Sequence, residues 1–294
     1  VFKALTGGAL KREESSACGV HFLGAKNGSS RFVVDRLLKS LDLMAHRAGY
    51  ADPKSCDGAG INLKIDDGFW KDKFPEHCEQ IVPDGYAVIA SFVPESSNAY
   101  TEYAKRIHKH LENEGLTFSE TRNVPMDWDR FGVVASTQQL PVTQFLVPRP
   151  EKMTITDFER ALLRFQTRVD YETLRSTWGL TKNPSIISAE PNGNVIYKGL
   201  MAPSDLAEAF PDLKDPLCKA SQGLVHDRFC TNAPKGLDKI QPLSIIANNG
   251  EMNSLSSLYQ FMTKITLKLL VFFQINLLEF YSQFSLSLPF FSQP

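Results

Sequence analysis

A chain of 294 residues, 43% hydrophobic and 22% charged, has the composition of a soluble globular protein, long enough for one large domain or two small ones. A formal net charge of -1 leaves no electrostatic footprint for nucleic acid and no polybasic patch for a membrane surface, so a small, roughly neutral ligand fits better. The five cysteines, Cys18, Cys56, Cys78, Cys218 and Cys230, show no C-x-x-C or Cys/His zinc spacing, which argues against a disulfide scaffold or structural metal and for a cytoplasmic setting.

Val1 to Ala17 mixes Lys3, Lys11, Arg12, Glu13 and Glu14 with two glycines and has no apolar stretch, so it does not read as a secretory signal. Val20–Ala25 is a short apolar strand, and Arg31–His46 places Phe32, Val33, Leu37, Leu38, Leu41 and Met44 at helical spacing. Asp52-Pro53 and Asp57-Gly58-Ala59-Gly60 form a turn cluster, after which Ile61–Ile65 alternates as a half-buried strand does. Tyr86–Val93 is a continuous apolar strand. Asn98–Glu114 is an amphipathic helix stopped at Gly115. Val142–Val147 and Ser185–Ala189 are strands, Thr154–Val169 is a helix, and Asn192-Gly193-Asn194 separates Ser185–Ala189 from Val195–Lys198 as a hairpin turn would. Ser204 caps a short helix closed by Pro211, and Gly223–Phe229 and Leu243–Ala247 are two strands placed near that of Cys18.

Two segments far apart in the chain carry chemistry. Cys18 in Ala17-Cys18-Gly19-Val20 offers a thiol, and Asn249-Gly250 offers side-chain and main-chain donors for an oxyanion. Were Cys18 the first residue of a mature chain, its own α-amine, with a pKa of about 7.7 to 8.0, would be the base that activates the thiol. The plainer readings are a buried structural cysteine and an ordinary hairpin turn. Arg47 follows a helix where a guanidinium can brace a loop, or merely complements the helix dipole. Arg228 lies in a strand-like run, where it would clamp a carboxylate bidentately or sit at a solvated edge. His21, His46 and His226 have the wrong spacing for a metal cage and read as packing or supporting residues; Asp57 and Glu251 read as turn and cap residues.

The order of these residues is that of a known family. Ala17-Cys18-Gly19-Val20, His46-Arg47 and Ala51–Ile61 with its Asp-Gly-Ala-Gly stretch, then Val195–Met201, Phe210–Leu213, His226–Asn232 and Asn249–Asn253, together resemble the class II glutamine amidotransferase domain of the glutamate synthase large subunit. The resemblance covers roughly Ala17 to Asn253. It implies an α+β, four-layer αββα N-terminal-nucleophile (Ntn) hydrolase fold. It further implies that Cys18 attacks the side-chain amide of L-glutamine, that Asn249 and Gly250 hold the oxyanion, that Arg228 binds the glutamine α-carboxylate and that Arg47 stands close to the nucleophile loop. Ammonia then passes to 2-oxoglutarate in a glutamate synthase FMN domain, in cis or in trans. No cofactor is expected in this segment; FMN and an iron–sulfur cluster belong to the remainder of a full-length member.

The domain limits that follow are a leader at 1–17, an amidotransferase domain at 18–253 and a divergent apolar tail at 254–294. Cys230 stands where the family has Ser and Asn248 where it has His. No acidic partner for the glutamine α-amino group is recognisable after Asn253. The tail's Leu269–Phe273 run is broken by Lys268, Gln274, Asn276 and Glu279, short of the about 20 apolar residues a membrane span needs. A buried helix or a truncated, non-native end fits the tail better, and a catalytically impaired fragment or binding module that keeps the fold is the alternative to an active glutaminase.

Overall fold

The computed structural model describes residues 19–175 and 184–227. The chain divides into two compact units, Val1–Gly250 and Glu251–Pro294, and every described residue belongs to the first. In chain order the described elements are β1 (Gly19–Gly24), α1 (Arg31–Leu43), β2 (Ser55–Ile65), α2 (Asp67–Lys73), β3 (Tyr86–Phe92), α3 (Ser97–Glu112), β4 (Glu120–Asn123), α4 (Val133–Ser136), β5 (Val142–Pro148), α5 (Ile155–Arg175), β6 (Ser185–Pro191), β7 (Asn194–Met201), α6 (Leu206–Ala209) and β8 (Ala220–Asp227), with short 3-10 turns between them. The strands form two antiparallel sheets, so the fold is α+β: sheet one runs β1-β8-β2-β7 and sheet two runs β4-β5-β3-β6.

Helix starts follow local chemistry. Ser30 accepts from Phe32 N–H ahead of α1, Asp66 from Gly68 N–H ahead of α2 and Ser96 from Ala99 N–H ahead of α3, each satisfying a donor that the first turn leaves open. The chain beyond α3 turns through Gly115, whose φ of +72° suits a residue without Cβ. α1 buries Val33, Val34, Leu37 and Leu41 and packs on β8 and β1. Its approach is close: a Cβ on Gly223 would lie 2.6 Å from Leu37 Cδ1.

Sheet two packs on both of its faces. Every residue of β3 is buried, with Tyr86, Val88, Ala90 and Phe92 in the core shared with sheet one. Ala87 and Ile89, on the opposite face, pack with Tyr103, Ile107 and Leu111 of α3 and Phe158, Leu162, Phe165 and Val169 of α5. At about 1.5 to 3 kcal/mol for each large apolar side chain, a strand buried on both faces anchors the domain. Asp170 of α5 accepts from Ile186 N–H at 3.3 Å; burial pushes its carboxyl up to about 6, against opposing pulls from that bond, Lys198 and Gln166.

Three expectations change. Asp57-Gly58-Ala59-Gly60 is not a turn but part of β2, where Gly58, at φ +108°, sits in a register irregularity between Ser55 and Ala59; the turn-like residues mark a bulge. Ser204 is no helix cap: Pro203–Asp205 is a 3-10 turn that leads into the single turn of α6. Asn192 and Gly193 do turn, both with positive φ, but β6 pairs with β3 and β7 with β2, so the turn joins two sheets and not two paired strands. β4 and α2 were not anticipated. The expected strand at Leu243–Ala247 lies outside the described residues.

Candidate active site

Antiparallel pairing gathers the starts of β1 and β2 and the ends of β8 and β7 at one end of sheet one. Gly19, Asp227, Ala59 and Gly199 form a single rung across all four strands. Three of the four are Gly or Ala, and the rung is tight: a Cβ on Gly19 would lie 2.3 Å from Met44 Sδ, at the end of α1. Gly19 is the covalent neighbour of Cys18 and Asp227 that of Arg228, so these two predicted residues adjoin a register pair. Cys18, Arg228, Asn249 and Gly250 themselves lie outside the described residues. Arg47 closes the 3-10 turn Ala45–Arg47 that follows α1 and Met44.

Polar groups crowd this end. Asp57 and Asp227 are 3% and 0% exposed, so neither is the solvated turn or strand-end carboxylate that its sequence context suggests. Gly49 lies against Asp57, where a Cβ would come within 2.5 Å of Oδ2, and Asp57 N–H donates to Gly49 O at 3.0 Å. The Cys56 thiol donates to Met201 O at 2.6 Å, which turns it inward. Burial, and the negative character of Cys56, Asp205 and Asp227 nearby, push the Tyr50 phenol above its ordinary value. His226, paired with Val20 and Gly60 one step along the strands, is held below its usual value by burial, hence neutral at pH 7.

A second buried polar group lies away from this end. Asp212 accepts from Arg122 of β4 in a tight ion pair and from the Tyr197 hydroxyl of β7 at 2.9 Å, so it ties sheet two to sheet one. The Cys218 thiol is pushed up to about 12 by burial, which makes it unreactive. Among the described residues no group of His, Cys, Asp and Glu could hold a metal ion, and no helix is long and apolar enough to cross a membrane.

Asp57, read from the sequence as a turn residue, is buried in β2, and the sequence reading assigns no site role to Asp227, Tyr50 or Cys56. One signal was available. Gly223, Val225 and Asp227 share one phase of the β8 alternation and all are buried, so Asp227 stood in the buried register.

Two antiparallel sheets with helices, and a Gly19–Asp227 pair whose two chain neighbours are a cysteine and an arginine, are features that the family comparison can be set beside. The chain belongs to the class-II glutamine amidotransferases, whose family model matches residues 18–274. It is similar to a glutamate synthase (NADH) of Saccharomyces cerevisiae, 30% identical over 251 residues, covering 82% of this chain and 12% of that protein. A glutamate synthase (NADPH) large chain of Bacillus subtilis is 28% identical over 249 residues, 82% of this chain and 16% of that one. The chloroplastic ferredoxin-dependent glutamate synthase 2 of Arabidopsis thaliana is 30% identical over 261 residues, 85% of this chain and 15% of that one. The chain thus spans 12% to 16% of the length of these relatives.

Proposed function

We propose that this chain is the glutaminase part of a glutamate synthase. It would release ammonia from L-glutamine for a synthase domain, joined in cis or in trans, that aminates 2-oxoglutarate. The observation that supports the reading is the pairing of Gly19 with Asp227, the chain neighbours of Cys18 and Arg228. The fold we assign is the four-layer αββα arrangement, supported by α1 against sheet one and by α3 and α5 against sheet two. The domain limits are 1–17 for a leader, 18–253 for the amidotransferase and 254–294 for an apolar tail. A reducing, cytoplasmic setting agrees with the unbridged thiols of Cys78 and Cys218.

In this mechanism Cys18 is the N-terminal residue of the mature chain and its α-amine takes the thiol proton. Sulfur adds to the amide carbon of glutamine, while Asn249 and Gly250 donate to the resulting oxyanion. The ammonium so formed at the α-amine returns its proton to the leaving nitrogen, the C–N bond breaks and ammonia departs. Water then cleaves the thioester to give glutamate and restore the thiol. Arg228 holds the α-carboxylate, and Arg47 braces the nucleophile loop. The FMN and iron–sulfur cluster of a full synthase would belong to the remainder of such a protein.

Mass spectrometry joined to an ammonia assay tests the reading. A mature chain that starts at Cys18 and releases ammonia when given glutamine is the expected result. An intact Val1 start without glutamine-dependent ammonia release would defeat it.

A further inference from the structure

The loop after Arg47 leaves the rung end of sheet one and returns to it as a closed excursion. Tyr50 and Cys56 pair antiparallel across it, and Ala51 and Asp52 donate their N–H groups to Ser55 O at 2.8 and 3.3 Å. Its tip reaches α4. That helix begins after Gly132, an N-cap residue with no side chain to offer, so the N–H groups of its first turn need an acceptor from elsewhere.

The loop provides it. Asp52 accepts from Val134 N–H at 2.9 Å and Ser55 Oγ accepts from Ala135 N–H at 2.8 Å, across 82 and 80 residues of chain. The same Asp52 carboxylate accepts from the N–H groups of Lys54 at 2.9 Å and Ser55 at 2.7 Å, while Lys54 Nζ donates to Asp129 O at 2.7 Å. Gly132 permits this approach, because a Cβ there would lie 2.2 Å from Asp52 Oδ1 and 2.6 Å from the Ser55 nitrogen. The second contact is main chain, which cannot swing aside. Bonds from Ser55, Val134 and Lys54 hold the Asp52 carboxyl well below the usual carboxylate range, so it stays charged in mild acid.

We propose that Asp52 is a positioning residue for glutamine hydrolysis, stapling the loop tip to α4 and so fixing the main chain at Arg47 and Asp57 beside the rung. The assignment rests on the glutaminase reading above. With the staple cut, the loop occupies its binding-competent form only part of the time, and apparent affinity for glutamine falls by that fraction.

Steady-state ammonia release by the full chain tests it. Asp52→Ala and Gly132→Ala should each raise KM for glutamine about tenfold and leave kcat within about twofold, as expected when a binding-competent form is depopulated. Asp52→Asn, which keeps an acceptor oxygen, should fall between them and the wild type. Arg47→Ala should raise KM on its own, and the Arg47→Ala/Asp52→Ala double variant should be no worse than Arg47→Ala, since the two act through one arrangement. Amide exchange over 48–57 and 133–136 should quicken in Asp52→Ala, a readout independent of turnover. Unchanged KM, additive effects with Arg47→Ala, or unchanged exchange would each overturn the assignment. A wild-type chain that turns over no glutamine sinks the functional reading and this assignment together; an active wild type indifferent to Asp52→Ala sinks this assignment alone.

Discussion

The rung end of sheet one and the centre of sheet two are built on opposite terms. β3 is buried along its whole length, and its two faces serve two apolar cores. The rung end instead buries Asp57 and Asp227 among glycines and an alanine, where burying a carboxylate costs desolvation that hydrogen-bond partners offset. Placed in one unit, the two regions show a division of labour: the apolar core that both sheets share supports buried polar groups at the rung end in a fixed, poorly solvated place.

That division can be broken from either side. The largest effect belongs to the rung: Cys18→Ala should reduce glutamine-dependent ammonia release to background with the thermal midpoint unchanged, measured on the same preparation. Retained labelling by a glutamine-like electrophile would move the reactive thiol elsewhere, Cys230 being the first rival. In sheet two, Phe145→Ala empties a site where the ring meets Phe118 edge-on at 5.3 Å, and should cost about 3 to 5 kcal/mol in denaturant unfolding. Asp212→Ala leaves Arg122 buried without its carboxylate, and a loss of about 3 to 5 kcal/mol is expected; a loss under about 1 kcal/mol would show that the tie between the sheets is dispensable.

The next effect depends on pH. A carboxyl raised from 3.8 to about 6, as at Asp170, binds its proton more tightly in the folded chain. Its contribution is therefore fully present below the unfolded value and is lost as pH rises through about 6. Asp170→Asn should flatten stability between those limits and gain at most about 3 kcal/mol at pH 7. Smallest is Lys39→Ala, which removes an exposed ion pair to Asp42 and should shift stability by less than about 0.5 kcal/mol.

The sequence was most legible where burial sets a simple period. β1, β3, β5, β6, α1, α3 and α5 fall where alternation or helical spacing put them. β4 escaped because Glu120, Thr121, Arg122 and Asn123 are all polar, and what makes them a strand is pairing with β5 together with the Arg122–Asp212 contact, neither of which is local. Asp57–Gly60 was misread because glycines serve bulges as well as turns, and only the partner strand distinguishes the two. At the candidate site, order along the chain pairs Cys18 with Arg228 only as an expectation, whereas Asp52 is legible only as part of a turn: its partner on α4, Val134, lies 82 residues away.

The turn at Asn192-Gly193 has a mechanical consequence. It is a rigid corner, since both residues occupy the left-handed region and a Cβ on Gly193 would come within 2.9 Å of the Ile65 carbonyl oxygen. It binds the two sheets covalently at the end of sheet one remote from the rung, with β7 as the arm between, some 20 Å long at about 3.3 Å per residue. A connection this short restricts sliding of one sheet over the other at that corner more than it restricts pivoting about it. A pivot of about three degrees at the corner displaces the rung by about an ångström over that length, roughly the misplacement that separates a working catalytic geometry from an idle one.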